Sequence, residues 1–537
     1  MIKVVTLGST GPRVTHMLFA DDSIVFLEGS RENMHTLREI LLKYERASGQ
    51  KVNMQKSSIY FGKGCGDELK DELKGEIGIS SEALSERYLG LPTQVGRSKE
   101  GTFKFVTESS KGKVTGWKGQ GMSKKAREVL VKSGLQATST FTMNCFHLTK
   151  KTCRNLTCIS SKFWWGAMNG EKKVHWVSWE KMCDSKHAGG MGFCDPEMFN
   201  QALLAKQAWR ILTAPNSLVA RVLKARYFKE CSILSATCPS NASFPFRSIL
   251  YGRNLLKEGL IWRVGDGSGI NIHHDNWIPR QGSLRPLGQI YLSGITKVAD
   301  LLDEEGSGWD MHKVEAMFTP SDAVDIKQIV VGRVGADDYL AWNDTKNGVF
   351  SVRSAYHLAV SLRRVRTGRP ASSSLVQDHK GYLGLWSTNA PGKAKIHVCR
   401  MIRNGLVVGH ELYRRRIKPG VFCAACGREE TVLHRFWVCR HSSQFWQILS
   451  SEKGVAVAAP PLPVDSQKAL SSWLLSFFAG ATEDEKQAMV HATCGLWLAR
   501  NEARDGKRIA HPHEVVEGVH SHLVDSYSCY GGKSSEV

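Results

Sequence analysis

Apolar positions along this chain change their period several times, and each change marks an element. In "THMLFADDSIVFLEG" two short apolar runs flank Ala20-Asp21-Asp22-Ser23, the pattern of a β-hairpin with its acids at the turn. Beyond Ser30, a capping residue, Leu37, Ile40, Leu41 and Tyr44 recur at the spacing of one helical face, and Gly49 stops the helix. "SSIYFG" reads as a further short strand. From about 97 to 235 the pattern is mainly helical. Its clearest helix is "NQALLAKQAWRILTAP", with Asn200 as the expected cap, Leu204, Ala205, Ala208 and Trp209 on one face, and Pro215 beyond the end. Residues 236–345 are richer in Gly, Trp and short strands. After "VAVAAPPLPVDS", which reads as a linker, a helical piece runs through "GLWLARN" into a polar tail expected to be poorly ordered. No repeat of solenoid or propeller period shows.

These shifts predict an α+β multidomain chain in five stretches: 1–95, 96–235, 236–345, 346–450 and 451–537. At 537 residues, 42% of them hydrophobic, the chain has material for several cores. No apolar run approaches the roughly 20 residues that span a bilayer, so no membrane partner is expected. "MIKVVTLGSTGPRVTH" is too short and interrupted for a signal peptide, and the 14 cysteines are scattered. The expected setting is intracellular, nuclear or cytoplasmic rather than secreted, with reduced thiols.

Charge changes the picture. The formal net charge is +21, and residues 97–173 contribute +12 while residues 393–440 contribute +8. Positive charge confined to two windows is the footprint of phosphate-backbone binding, so RNA and DNA are the expected partners. A solvated basic surface is the bland alternative.

The second window contains "FCAACGREETVLHRFWVC", spacing Cys423, Cys426, His434 and Cys439 as C-x2-C-x7-H-x4-C. Two thiolates from a C-x2-C turn, joined by a later His and Cys, suit tetrahedral Zn²⁺ in a structural role. His410 and His441 are alternative ligands, and four unrelated buried side chains are the other alternative. Arg414, Arg415, Arg416 and Lys418 read as a nucleic-acid contact, a solvated run or part of a nuclear-import signal. Trp164 and Trp165 read as core aromatics, and "GDGSG" as a turn without a GxxxxGK[ST] phosphate loop. His273 and His274 are expected to alternate across a strand, away from a common ion.

Alone, an Asp-Asp turn is most often solvated, although two carboxylates held by apolar strands can place Mg²⁺ against phosphates. "FADD" is followed in order by "YERASGQKVNMQKSSIYF", "RYLGLPTQVGRSK", "FWWG", "KHAGGMGFCDPEMFNQALLAKQAWRIL", "WRVGDGSGINIHHDNWIP" and "NGVFSVRSAYHLA". Over roughly residues 14–450 this ordered set resembles the reverse transcriptase of plant non-LTR, LINE-type retrotransposons. The resemblance implies the second half of a polymerase palm at 1–95, a basic helical thumb at 96–235, a Trp/Gly-rich connector at 236–345 and a zinc-binding domain at 346–450. It makes Asp21 a Mg²⁺ ligand, Asp22 its supporting neighbour and Lys56 a contact for the pyrophosphate leaving group. Gly49 and Asn53 are the other positions of that palm box. Tyr88, Leu89 and Gly90 would grip the primer terminus, and Lys124, Lys125 and Arg127 would lie along template and primer. For Lys56 a solvated lysine is an equal reading, and for Tyr88 to Gly90 the alternative is a simple turn after a strand.

Two-metal phosphoryl transfer needs more carboxylate than this turn offers. The family's further aspartate lies well upstream, and residues 1–20 contain no Asp or Glu. The expectation is a truncated RNA-directed DNA polymerase that keeps nucleic-acid binding but is inactive unless a missing N-terminal half is supplied. An upstream endonuclease and a downstream RNase H domain would be absent too. The alternative is a standalone, non-catalytic zinc protein that binds nucleic acid.

Overall fold

A computed structural model describes residues 5–6, 11–62, 64–82, 86–117, 121–166, 173–280, 282–288, 294–333, 335–368, 375–417, 422–461 and 466–530. Lys418 and the Ser-rich break at 372–374 lie outside the described residues. The architecture is α+β but mostly helical, and the described strands form only two-stranded antiparallel pairs. The chain divides into two compact units: residues 1–104, 140–150 and 197–363, and residues 105–139, 151–196 and 364–537.

In the first unit, His16–Phe19 pairs with Asp22–Val25, with Phe19 opposite Asp22. Ala20 turns the chain at a φ of 49°, which a two-residue hairpin loop needs. Ser30 caps the Arg31–Ser48 helix by accepting from the Asn33 amide, and Gly49 ends it in the left-handed region, as the sequence predicts. Met34 packs on Leu73 and Ile77 of the Asp67–Ile77 helix. Ile40 and Tyr44 stay exposed, off the stretch that the second helix covers. "SSIYFG" does not form a strand: Ile59 makes an isolated bridge to Glu82.

Asn200 is not a cap. The helix begins earlier, at Pro196, and runs to Thr213. Inside it, buried Asn200 accepts from the Leu148 amide at 2.9 Å and donates to the carbonyls of Met143 (2.8 Å) and Phe146 (2.9 Å). One amide thus satisfies three backbone groups of another segment. The Phe244–Gly259 helix comes so close at Gly252 that a Cβ there would sit 2.2 Å from the Leu204 carbonyl carbon.

Leu260–Arg263 then pairs with Tyr339–Trp342, closing a long excursion whose core holds Ile270, Ile272, Trp277, Val314 and Ile326. "GDGSG" is a turn, as expected, and it is filled from within. The Asp338 carboxylate accepts the backbone amides of Gly265 (2.7 Å), Gly267 (3.0 Å) and Gly269 (2.8 Å). His273 and His274 lie in a turn rather than a strand, both amides donating to the Asn271 side chain.

In the second unit, Trp164 and Trp165 are core residues, with Phe193 stacked on Trp179 at 4.9 Å. A helical body follows, built from Leu375–Ser387, Gly392–Ile402, Gln467–Gly480, Glu483–Arg504 and Pro512–Tyr530. The last helix occupies part of the segment read as a polar tail. Val515, Val516, Val519 and Leu523 form its buried stripe, a helical period diluted by Glu517, Gly518, His520, Ser521 and His522. Among the described residues no disulfide forms, and no helix is long and apolar enough to cross a membrane.

Candidate metal centre and nucleic-acid interface

The metal centre starts from a tight turn. Phe422 bridges Glu429, the Cys423 amide donates to the Arg428 carbonyl at 2.7 Å, and Gly427 completes the reversal at a φ of 72°. This turn presents Cys423 and Cys426. The other two ligands come from the ends of a wide, π-type turn, His434–Val438, whose extra residue lets the Cys439 amide reach the His434 carbonyl at 2.7 Å. Cys439 also stands at the N-terminus of the Arg440–Lys453 helix, where the helix dipole favours a thiolate.

The four ligand atoms of Cys423, Cys426, His434 and Cys439 lie within 4.8 Å of one another. Cys423 Sγ and Cys439 Sγ are 3.7 Å apart, and Cys426 Sγ is 3.1 Å from His434 Nε2. Thiolates on a tetrahedral zinc with Zn–S bonds of 2.3 Å stand about 3.8 Å apart, so this spacing is that of a shared ion rather than a disulfide. The hydrogen bond between Cys423 and Cys439 splits the pair: Cys423 is pushed up to about 12 and Cys439 drawn down to about 7. His410 and His441 are engaged elsewhere. His410 Nδ1 is 2.6 Å from a Glu429 carboxylate oxygen, and His441 Nε2 is 2.8 Å from the Ala510 carbonyl oxygen.

Behind the turn, the carboxylate of buried Glu430 accepts from Arg500 Nε at 2.7 Å, from Arg500 Nη2 and from the Gly409 amide. Arg414 and Arg415 are partly spent as well. Arg414 pairs with Glu411, and Arg415 donates to the carbonyls of His175 and Trp176.

The basic helix at 124–130 splits its predicted residues. Lys125 pairs with buried Glu128 at 3.0 Å, beside Lys132 and Lys186. Burial pushes that carboxyl up, but the three ammonium groups outweigh it and hold Glu128 at about 2. Lys124 has different surroundings. Its Nζ donates to the Trp164 carbonyl at 2.6 Å and lies 5.1 and 5.2 Å from the Trp164 and Trp165 ring centres. Burial pulls Lys124 down to about 7, and the charges acting with it are all cationic: Arg400, Arg127 and Lys173. Arg400 lies over Trp165 at 5.7 Å, with Nε and Nη2 on the Gly405 carbonyl, and burial pulls it to about 10. Burial also lowers Arg127. Lys124, Arg127 and Arg400 each keep partial access to solvent. The result is a cationic recess around Trp165, and Arg400 is a member that sequence reading missed. Its distance of 276 positions from Lys124 left no local signal.

The N-terminal candidates do not converge. Asp21 and Asp22 are exposed at the hairpin tip, and among the described residues neither belongs to a group of three or more potential metal ligands. Leu18 and Phe19 beside them are 66% and 60% exposed. Lys56 is exposed in a turn built by Asn53, whose side chain accepts the Lys56 amide at 3.1 Å. Tyr88, Leu89 and Gly90 form a tight hairpin between Arg87–Tyr88 and Leu91–Pro92, with Leu89 and Gly90 at φ of 50° and 77°.

Comparison with known proteins bears on the metal centre first. The family described as zinc-binding in reverse transcriptase matches residues 350–446, which include all four ligands. A "Putative ribonuclease H protein" of Arabidopsis thaliana is 29% identical over 366 residues, which is 66% of this chain and 57% of that relative. The chain therefore spans little more than half the length of that relative. An "Uncharacterized mitochondrial protein" of the same plant is 41% identical over 152 residues, which is 28% of this chain and 99% of the relative. The chain thus belongs to the plant protein family of that Arabidopsis mitochondrial protein, and it carries a reverse-transcriptase zinc-binding segment at residues 350–446.

Proposed function

We propose that this chain is the nucleic-acid-holding part of a LINE-type reverse transcriptase, with structural Zn²⁺ at Cys423, Cys426, His434 and Cys439 and with RNA and DNA as its partners. The observation that carries the reading is the recess of Lys124, Arg127 and Arg400 around Trp165. Buried Glu128 of the same unit is balanced by three lysines. At Lys124 the neighbouring charges share its sign, and a backbone phosphate supplies what is lacking. Trp165 forms the apolar floor, and the recess takes Lys124 and Arg127 from the first basic window and Arg400 from the second.

The N-terminal hairpin is the polymerase element of this reading. Its exposed Leu18 and Phe19 are suited to pack against further polypeptide, which would also bring the carboxylates that two-metal transfer requires beside Asp21 and Asp22. Mg²⁺ at Asp21 rests on the family resemblance alone. By itself the chain binds template and primer without extending them. The second reading, a non-catalytic binding protein, is favoured by the separation of the acidic turn from any other ligand group.

Titration of the full chain with single-stranded RNA and DNA across a salt series tests the binding. Log K should fall linearly with log salt, by about 0.7 for each phosphate contacted. Salt-insensitive binding, or none, would overturn the proposal. Asp21→Ala separates the two readings: with a complementing polymerase front half supplied it abolishes primer extension under the first, and under both it leaves affinity unchanged.

A further inference from the structure

Arg435 follows the ligand His434 on the wide turn, and none of its surface reaches solvent. Its Nη2 donates to the Leu496 carbonyl at 2.5 Å. Its Nε and Nη1 are buried and find no hydrogen-bond partner among the described residues. A guanidinium does not give up its proton in a protein, so this is a fixed positive charge in the core with most of its donors unmet. Such a group is strongly destabilising unless an opposite charge stands nearby.

The candidates for that charge are few. Arg435 sits on the wide turn whose two ends carry the ligands His434 and Cys439, and the buried acid before it in the same segment is Glu430. Glu430 is already committed to Arg500 and to the Gly409 amide. That leaves the sulfur cluster. Without a bound ion the cluster holds no fixed negative charge for Arg435. Loaded with a divalent ion on three thiolates and a neutral imidazole, it carries one net negative charge.

We propose that Arg435 is the built-in counter-charge of the Cys423–Cys426–His434–Cys439 centre, so that ion, ligands and guanidinium together are electrically neutral inside the core. The inference rests on the reading that this cluster holds zinc. It accounts for a three-cysteine, one-histidine set in a buried place. It also makes the centre selective for a dication, since a monovalent ion on the same ligands leaves one negative charge unbalanced.

The test uses the full chain with zinc as the only added ligand, and compares Arg435→Met, Arg435→Gln and Arg435→Lys. Zinc affinity is read by competition with a chromophoric chelator, and melting is followed with and without metal. Removing the charge should weaken zinc binding about 10- to 100-fold, the usual range for a group supporting a metal ligand. Arg435→Lys should recover most of that loss. In the metal-free protein Arg435→Met should melt no lower than the parent, because an uncompensated buried cation has been removed. If Arg435→Met does not accumulate, Arg435→Gln, which keeps donors without charge, decides. A fall in melting that is equal with and without zinc, at zinc affinity within about threefold of the parent, would show a packing role and overturn the proposal. A parent chain that takes up no zinc overturns the metal reading itself, and that failure is seen before any variant is made.

Discussion

Lys124 links nucleic-acid affinity to pH. Its ammonium titrates near 7 because burial and three neighbouring cations disfavour the charged form. A phosphate in the recess favours that form. Affinity should therefore be full near pH 6, where Lys124 carries its proton unaided, and should fall as pH rises through 7. The fall ends when Lys124 binds as a neutral amine and one phosphate contact is lost. One contact changes log K by about 0.7–0.9 per decade of salt, so at 0.1 M monovalent salt the total loss is about five- to eightfold. His175, stacked on Trp165, is lowered below the ordinary histidine value by burial, so its own titration lies on the acid side of that of Lys124. Arg127 and Arg400 stay charged throughout. The assay is fluorescence anisotropy of a labelled single-stranded oligonucleotide at fixed salt from pH 6 to pH 8.5. The parent should lose affinity across the range, Lys124→Met should be uniformly weak and flat, and Lys124→Arg uniformly strong and flat. A parent that is flat, or a Lys124→Met variant that keeps the same decline, would refute the reasoning.

Three further outcomes follow from the structure. Asn200→Ala strips partners from the Leu148 amide and the Met143 and Phe146 carbonyls, and at about 1–3 kcal/mol per buried orphan the cost should reach at least 3 kcal/mol; loss of protection of Leu148 in hydrogen exchange checks it, whereas a change near 1 kcal/mol would refute the clamp. His397 and His491 are held neutral by burial down to about 3 and about 4, whereas an unfolded histidine protonates near 6.5. The unfolded state thus takes up protons first as pH falls, and stability should drop below about pH 6.5 by up to about 1.4 kcal/mol per histidine per unit; urea midpoints at pH 7.5, 5.5 and 4.5 measure the slope, and equal midpoints would contradict it. Zinc at a hundredfold excess over its dissociation constant adds about 2.7 kcal/mol, so a chelator should lower the melting temperature of the second unit by about 5–10 °C, read by calorimetry, and no shift would argue against a folded metal centre.

How far the sequence was legible depended on whether the determining contacts were local. Ser30 and Gly49 delimit a helix through their own neighbours, and the structure places both at the ends predicted. That Cys423, Cys426, His434 and Cys439 come together was readable too, because their spacing lies within one short segment. Asn200 was misjudged for a physical reason: a buried amide that clamps Leu148 looks, in one dimension, like a cap before an apolar run. The truer start signal was Asp195-Pro196, since proline suits the first helical turn. "SSIYFG" has strand propensity but finds only a one-residue partner, and propensity without a partner does not make a sheet. The recess at Trp165 joins Lys124 to Arg400, and Arg435 acquires its meaning from side chains that the fold brings beside it. Neither has a local trace.

The carboxylate of Asp338 that fills the "GDGSG" turn also bears on the order in which this protein is made. Gly265 and Asp338 are separated by 73 positions, and Leu260–Arg263 has no strand partner until Tyr339–Trp342 exists. Loop closure of that length must precede the contacts that reward it. During synthesis the intervening helices emerge first, while Ile261 and Leu284 wait for Ala341 of the closing strand. The few residues from Asp338 to Trp342 therefore act as a latch thrown late. A ribosome that pauses after they clear the exit tunnel leaves a finished layer behind it, and one that pauses before leaves an open apolar face for a chaperone to guard.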